Sequence, residues 1–342
     1  MVKSSQDLDD NHIGLWYGNY DEYSDSDFLY RNGFKRMRIG GLFGPSIQTG
    51  WPIRENTLMN EVDEKISEYA SNGISIVLAT QTGSGLPFPM DVFTQSDIDT
   101  MVNYVTFVAE QFKGRIEHYE IYNEFGNTPM MNTYIDLVTQ CTARINEIDP
   151  DAKVIIGAVP GDWLDGEPGY GEHQRFVVST THLYEMIRAM DFEAVPVDGI
   201  SWHPLYDNIP LDPYYQDYPN IVREIQSRAE AKGFTGEYFA DEILWHTEDE
   251  ENYDNGPPVS RTIAAKYYLR TITEHRGLGV NVTINTFFQV PIMDQIHNLN
   301  NVLSGAEPVE MDITLVTSEA VDHLRTYAFT LADGETLVAV WN

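Results

Sequence analysis

Short apolar segments alternate with segments whose apolar residues recur at helical spacing, about eight times before residue 290. This alternation is typical of a parallel β-sheet whose strands are connected by helices. The apolar segments predict eight strands, at residues 13–17, 34–39, 74–80, 116–122, 153–159, 197–203, 237–244 and 280–288.

Two of the helical segments show where they begin and end. Ser96 precedes an apolar stripe that stops near Gly114, and Asn132 opens a second stripe that ends at Asp149 and Pro150. Eight strand–helix units in roughly 300 residues match the usual size of a (β/α)8 TIM barrel. The sequence has no glycine-rich dinucleotide fingerprint and no phosphate-binding loop. We therefore predict an α/β TIM barrel over residues 1–306.

The pattern changes after about residue 305. Three short β-strands are predicted at 309–317, 324–330 and 336–341, the last two joined by a hairpin turn at Asp333 and Gly334. Three strands make a poor independent sheet. We expect residues 307–342 either to pack against the barrel or to be part of a longer β-sandwich.

Charge excludes some classes of partner. The 342 residues include 53 acidic and 21 basic side chains, a net charge of −32, which repels phosphate backbones and anionic membrane surfaces. No apolar run reaches the length of a membrane-spanning helix. The first residues are polar and lack the apolar region of a signal peptide. We expect an extracellular protein in its mature form, with a cytoplasmic location as the alternative.

Two carboxylates follow predicted strands four and seven, where a barrel places its active site. The segment 119–124, Tyr-Glu-Ile-Tyr-Asn-Glu, resembles the strand-four signature of the clan A glycoside hydrolases. In that clan the glutamate of the Asn-Glu pair is the general acid/base, and a glutamate ending strand seven is the nucleophile. The resemblance implies that Glu124 is the acid/base, Glu242 the nucleophile, and that Asn123 binds the 2-hydroxyl of the sugar.

The resemblance extends to further strand ends. It implies that Arg38 supports the nucleophile and that His203 and Tyr206 touch the sugar. Two positions depart from the clan pattern: Phe125 replaces the usual proline, and Phe288 with its neighbour Phe287 stands where a tryptophan often ends strand eight. The second departure puts the usual platform for the bound sugar in question.

Hydrolysis of a glycosidic bond by two carboxyl groups requires that their pKa values differ. We expect Glu242, beside Arg38, to stay ionised, and Glu124 to hold its proton to higher pH. Asp241 competes with Glu242 as nucleophile, but successive strand residues face opposite ways, so only one should reach the barrel mouth. Glu120, lower in strand four, is predicted to be a paired structural acid.

Aromatic side chains near strand ends can stack on sugar rings, and we predict this for Trp51, Trp163, Trp245 and Phe288. His118, His182 and His275 are expected to be structural, and the acidic run 247–256 to be a solvated loop rather than a calcium site. No spacing typical of metal ligands is present, so no cofactor or metal is expected.

The predicted function is hydrolysis, with retention, of β-glycosidic bonds in a neutral oligo- or polysaccharide. Carbohydrate is then the expected partner, without nucleic acid or membrane, and the oligomeric state is open. Two alternatives remain: a sugar-binding barrel without catalysis, and a metal-dependent barrel hydrolase that uses His203, His246 and Glu242.

Overall fold

A computed structural model describes residues 3–17, 26–40, 56–80, 94–126, 128–164, 175–204, 213–245, 260–285, 292–314, 316 and 324–342. Eight parallel strands form a closed barrel: β1 (Ile13–Tyr17), β2 (Arg36–Gly40), β3 (Ser75–Ala79), β4 (His118–Ile121), β5 (Lys153–Val159), β8 (Gly199–Trp202), β9 (Glu237–Ile243) and β10 (Val280–Asn285). Their order around the barrel is β1-β10-β9-β8-β5-β4-β3-β2. The predicted TIM barrel is therefore confirmed.

Eight α-helices lie among the described residues and cover the barrel. They are α1 (Ser26–Arg31), α2 (Asn56–Ser71), α3 (Gln95–Gln111), α4 (Met131–Ile148), α5 (Thr180–Ala189), α6 (Pro213–Ala231), α7 (Arg261–Gly277) and α8 (Met293–Val302). None of the described helices combines the length and the apolar character that a membrane crossing requires.

The start of α3 differs from the prediction. Thr94, not Ser96, is its N-cap: the Thr94 hydroxyl accepts from the backbone N–H of Asp97, and the Asp97 carboxylate accepts from the backbone N–H of Thr94. This reciprocal capping box satisfies two backbone donors, which a cap at Ser96 would not do. Helix α4 begins at Met131, one residue before the predicted Asn132, and ends at Ile148 as its apolar stripe predicts.

Two parts of the structure outside the barrel depart from the sequence prediction. A hairpin of β6 (Gly161–Leu164) and β7 (Arg175–Val178) follows the fifth barrel strand and was not predicted. The strand predicted at 309–317 is wrong in its described part, because only β11 (Glu307–Val309) pairs, and residues 310–314 form no ladder.

The C-terminal strands form a separate antiparallel sheet, β11-β12-β13, with β12 at Arg325–Thr330 and β13 at Thr336–Trp341. The sheet packs on α7: Tyr327 lies against Gly277, where any Cβ atom would be 2.2 Å from the tyrosine ring. The Tyr327 hydroxyl also contacts the buried Glu274 carboxylate at 3.1 Å. The packing agrees with one of the two expected arrangements, whereas the domain boundary at residue 307 stays a prediction.

Candidate active site

Six ionisable side chains meet where the barrel strands end. Because the strands are parallel, their C-terminal ends share one edge, the mouth of the barrel. The mouth cluster consists of Arg38 from β2, Glu120 from β4, Glu124 after β4, His203 after β8, and Asp241 and Glu242 from β9.

Arg38 lies at the centre of the mouth cluster with 1% of its side chain exposed. Its Nε donates to Glu120 Oε2 at 2.8 Å, and its Nη2 donates to Asn123 Oδ1 at 2.6 Å. Its Nη1 is 3.7 Å from Glu242 Oε2. Burial lowers the pKa of Arg38, but the carboxylates of Glu120, Asp241 and Glu242 raise it by more, so the guanidinium stays charged. The predicted contact between Arg38 and Glu242 is present.

Glu120 is a fully buried structural acid, as its position within the strand predicts. It accepts hydrogen bonds from Arg38 and, through Oε1, from the Ser201 hydroxyl at 2.7 Å. Burial raises the pKa of Glu120, but Arg38 and Ser201 are among the groups that lower it below its ordinary value. Ser201 was not identified from the sequence, although alternation along β8 places it on the same face as His203.

Glu124 and Glu242 face each other across His203. The imidazole Nδ1 is 3.0 Å from Glu124 Oε1 and 3.5 Å from Glu242 Oε2. One oxygen of each carboxyl group and one ring nitrogen lie within 4.8 Å of one another. Glu242 is 12% exposed and Glu124 45% exposed, so Glu242 lies deeper. Carboxyl groups about 5 Å apart match a retaining glycosidase, whereas an inverting enzyme needs about 6.5 Å or more.

A strained backbone presents Glu124 to the mouth. Tyr122 and Glu124 have φ values of +68° and +57°, which side chains other than glycine rarely adopt. The Glu124 N–H donates to the carbonyl of Ala158 at 2.9 Å, within a bulge of β5 where the ladder to β8 shifts register. Strain of this kind persists only where surrounding contacts enforce it, and it concentrates at functional sites.

A second bulge corrects a sequence prediction. Between β9 and β10, Ala240 pairs with Val282 and Ile243 with Ile284, so β9 holds one extra residue. The bulge breaks the alternation and turns both Asp241 and Glu242 towards Arg38. The expectation that only one of them reaches the mouth is therefore wrong.

The distribution of protons also differs from the prediction. Burial raises the pKa of Glu124, but the hydrogen bond with His203 and the charge of Arg38 lower it below its ordinary value. Burial and the negative charge of Glu120 instead raise the pKa of Asp241 well above its ordinary value. The acid that holds its proton to high pH in the unliganded site is Asp241, not Glu124.

Several predicted sugar contacts cannot be placed. Trp51, Tyr206 and Phe288 lie outside the described residues, as do Phe287, His246 and the acidic run 247–256. Trp163 lies on β6, and its side chain is outside the described structure.

The prediction that Trp245 stacks on a sugar ring is wrong. It is 2% exposed, its Nε1 is 3.3 Å from Thr271 Oγ1, and its ring packs 4.8 Å from Tyr267. The indole is therefore packed against α7, where a sugar ring cannot stack on it.

The three histidines expected to be structural lie away from the mouth cluster. His118 and His275 are buried, the latter between the Tyr218 hydroxyl and the Thr271 carbonyl. His182 contacts the Ser179 hydroxyl at 2.9 Å.

Among the described residues, Glu124, His203 and Glu242 bring the closest set of oxygen and nitrogen atoms that a metal could use. Each of these three side chains already has a polar partner among the neighbouring residues. His203 Nδ1 is within hydrogen-bond distance of Glu124, and the charge of Arg38 lies 3.7 Å from Glu242.

Neither a protein-family profile nor a curated protein matches the sequence. Solved structures do. A family 39 glycoside hydrolase from Bacteroides cellulosilyticus WH2 aligns over 99% of this chain and 71% of its own, with a TM-score of 0.66 and 16% identity. The likeness is one of fold, a (β/α)8 barrel.

Two further solved structures extend the comparison. Cel5A of Thermotoga maritima, in complex with a mannotriose substrate, covers 83% of this chain and 96% of its own at a TM-score of 0.60 and 12% identity. A Thermobacillus composti GH10 xylanase covers 84% and 96% at a TM-score of 0.55 and 13% identity. At such identities the likeness establishes the fold, and the activity must be argued from the site.

Proposed function

We propose that this protein is a retaining β-glycoside hydrolase, with Glu242 as nucleophile and Glu124 as general acid/base. The observation that carries the proposal is that one oxygen of Glu124 and one oxygen of Glu242 lie within 4.8 Å of each other across His203, at the barrel mouth. So close an approach suits direct attack by one carboxylate while the other serves the leaving oxygen, and it agrees with the carboxyl separation of about 5 to 5.5 Å in retaining glycosidases.

In the first step, Glu242 attacks the anomeric carbon. The oxygen of the leaving group takes a proton from Glu124, and a covalent glycosyl ester forms on Glu242. Arg38 supports this step because its charge favours the ionised form of Glu242. The greater exposure of Glu124 suits a residue that must meet both a departing sugar and an incoming water.

In the second step, Glu124 acts as a base. It takes a proton from water, the oxygen attacks the anomeric carbon, and Glu242 leaves as a carboxylate. Two displacements at one carbon restore its original configuration.

Asn123 is proposed to bind the 2-hydroxyl of the sugar. Its Oδ1 accepts from Arg38 Nη2 at 2.6 Å, which turns the Nδ2 donor away from the guanidinium. A hydrogen bond to the 2-hydroxyl strengthens as the ring approaches an oxocarbenium ion, so it contributes to rate more than to binding.

The substrate is proposed to be a neutral β-linked oligo- or polysaccharide. Four carboxyl groups at the mouth and a net charge of −32 repel polyanionic glycans. The similar structures named above include a mannotriose complex and a xylanase, both consistent with this class. A neutral polymer as substrate fits an extracellular location, which we propose on that ground.

The test is hydrolysis of a panel of aryl β-glycosides and soluble β-glycans by the wild type, Glu242→Ala and Glu124→Gln, with the product anomers followed by NMR. We expect net retention in the wild type and loss of turnover in Glu242→Ala. Glu124→Gln should lose least on substrates with good leaving groups, which need little protonation.

Inversion of configuration, or full activity of Glu242→Ala, would refute the proposed mechanism. Sugar binding without turnover of any substrate would instead favour the non-catalytic barrel. Activity that is lost with a chelator and restored by added metal would favour the metal-dependent alternative.

A further inference from the structure

His203 connects two carboxyl groups whose protonation differs. Its Nδ1 is 3.0 Å from Glu124 Oε1, and its Nε2 is 3.4 Å from Asp241 Oδ1. The ring is fully buried. His203 Nε2 has no hydrogen-bond partner among the residues that the structure describes. A buried polar atom without a partner is costly, and Asp241 Oδ1 is already within hydrogen-bond distance of this nitrogen.

Charge requires that a proton remain in this cluster. Asp241 is 2% exposed and faces Arg38 from β2, Glu120 from β4, His203 from the end of β8, and Glu242 from its own strand. Only Arg38 among these brings a permanent positive charge, and it already pairs with Glu120. An ionised Asp241 would be a third carboxylate facing this one guanidinium in a buried site, which favours a neutral Asp241.

Two groups can accept a proton from Asp241, the Glu120 carboxylate and His203 Nε2. Glu120 already accepts from Arg38 and from Ser201, and Asp241 Oδ2 lies 3.5 Å from the guanidinium Nε. His203 Nε2, by contrast, lacks a hydrogen-bond partner within the described structure. We therefore assign the neutral imidazole with its proton on Nδ1, donating to Glu124 and accepting from Asp241.

We propose that Asp241 stores the proton that Glu124 delivers to the leaving group, and that His203 relays it. The inference rests on the proposed function. In the relay, the Asp241 hydroxyl gives its proton to His203 Nε2 while His203 Nδ1 gives its proton to Glu124. One O–H and one N–H bond break, one of each forms, and the imidazole changes tautomer without gaining charge.

The two steps of the reaction would drive the relay in opposite directions. As Glu242 attacks the sugar its negative charge is consumed, so Asp241 becomes more acidic and the proton moves towards Glu124, where the leaving oxygen needs it. When the ester is hydrolysed, Glu242 regains its charge, and the proton that Glu124 took from water returns through His203. Asp241 and His203 are positioning residues in this scheme, because they act through Glu124.

The decisive variant is Asp241→Asn, which keeps the shape of the side chain but cannot release a carboxyl proton. On substrates with poor leaving groups, we expect kcat/KM at pH 7 to fall about 10- to 100-fold, within the range of general-acid effects. The alkaline limb of the profile of kcat/KM against pH should shift to lower pH by about one unit. The reason is that Glu124 must then hold the catalytic proton without Asp241. On an activated aryl glycoside, the rate should change by no more than about threefold.

Ser201→Ala is the matched control, because it removes a hydrogen bond from the same buried cluster but lies outside the relay. The alkaline limb of the pH profile of Ser201→Ala should lie at the same pH as that of the wild type. If Asp241→Asn instead loses activity equally on both classes of leaving group, with the alkaline limb unmoved, Asp241 is only structural and the relay is wrong.

Infrared spectroscopy tests the stored proton without relying on activity or on folding of Asp241→Asn. Because burial also raises the pKa of Glu274 to about 7, the measurement is made in a Glu274→Gln background. At neutral pH this protein should show the carbonyl stretch of a protonated carboxylic acid, and adding Glu242→Ala should make the band titrate at lower pH. Absence of the band in the Glu274→Gln protein would overturn the relay. Full activity of Glu242→Ala would overturn the proposed function instead, so the two failures are distinguishable.

Discussion

Strands β2 and β9 carry charged side chains to both ends of the barrel, but the two ends balance that charge differently. At the base, where strands begin, cations and carboxylates alternate: Lys153 Nζ donates to Glu237 Oε1 at 2.8 Å, and Arg36 donates to Asp10 at 2.9 Å. Asn281 bridges this base cluster by accepting from Arg36 and donating to Glu237. Each charge at the base has an opposite charge beside it.

At the mouth the same strands leave an excess of acid. Strand β2 brings Arg36 to the base and Arg38 to the mouth, and β9 brings Glu237 to the base but both Asp241 and Glu242 to the mouth. One guanidinium there faces three carboxyl groups directly. Charges paired with opposite charges stabilise a fold. An excess of carboxyl groups instead shifts their pKa values, as acid–base catalysis requires. The comparison predicts that the base governs stability and the mouth governs activity.

The largest effect should come from Glu242→Ala. We expect kcat to fall by about 10⁴-fold or more, as when other nucleophiles are removed, while the melting temperature stays level or rises because one repelling carboxylate is gone. Steady-state kinetics and calorimetry on the same preparation measure both. A marked drop in melting temperature would mean that the mouth is a structural cluster like the base.

Asn123→Ala should have the next largest effect. Loss of a hydrogen bond that strengthens in the transition state should lower kcat/KM by about 100-fold on substrates with a 2-hydroxyl. The same variant should lose much less on 2-deoxy substrates, which lack the partner. Equal losses on both substrate types would count against the assigned contact.

His118→Phe tests the base through pH. Burial lowers the pKa of His118 from 6.5 to about 4, so the folded protein keeps this histidine neutral while the unfolded chain binds a proton. Its contribution to the free energy of unfolding is therefore complete above pH 6.5 and is lost as the pH falls towards 4. Phenylalanine preserves the edge contact with Phe239.

Denaturant unfolding of His118→Phe across this pH range provides the measurement. The wild type should lose about 3 kcal/mol more than the variant between pH 7 and pH 4. Parallel curves for the two proteins would show that His118 does not couple pH to stability.

The smallest effect is expected from Glu237→Ala. Glu237 lies on the same strand as Glu242 but at the base of the barrel. Glu237 is 34% exposed, so its bonds to Lys153 and Asn281 should contribute about 1 kcal/mol to the free energy of unfolding. Its kcat should equal that of the wild type. A large loss of activity with unchanged stability would contradict the claim that the base governs stability and the mouth governs activity.

The sequence predicts the barrel and the meeting of Arg38, Glu124 and Glu242 because both depend on strand order alone. Parallel strands place their C-terminal ends at one edge whatever the details of packing. Asp241 was misplaced because a β-bulge carries no signal in the alternation of apolar and polar residues.

Other parts of the site depend on contacts that a sequence does not contain. The pKa of Glu124 is set by the 3.0 Å contact with His203, a residue 79 positions away in the chain. Trp245 looks like a sugar platform in the sequence because it follows a strand, but helix α7 covers it.

The central claim is that Glu242, and not its neighbour Asp241, attacks the sugar. The most direct test is to trap the intermediate with an activated 2-deoxy-2-fluoro-β-glycoside of a sugar that the enzyme accepts. The fluorine slows both steps, while the good leaving group keeps the first one fast enough for the ester to accumulate. Peptide mapping by mass spectrometry should then find the sugar attached to Glu242. Attachment to Asp241, or to any other side chain, would contradict the account.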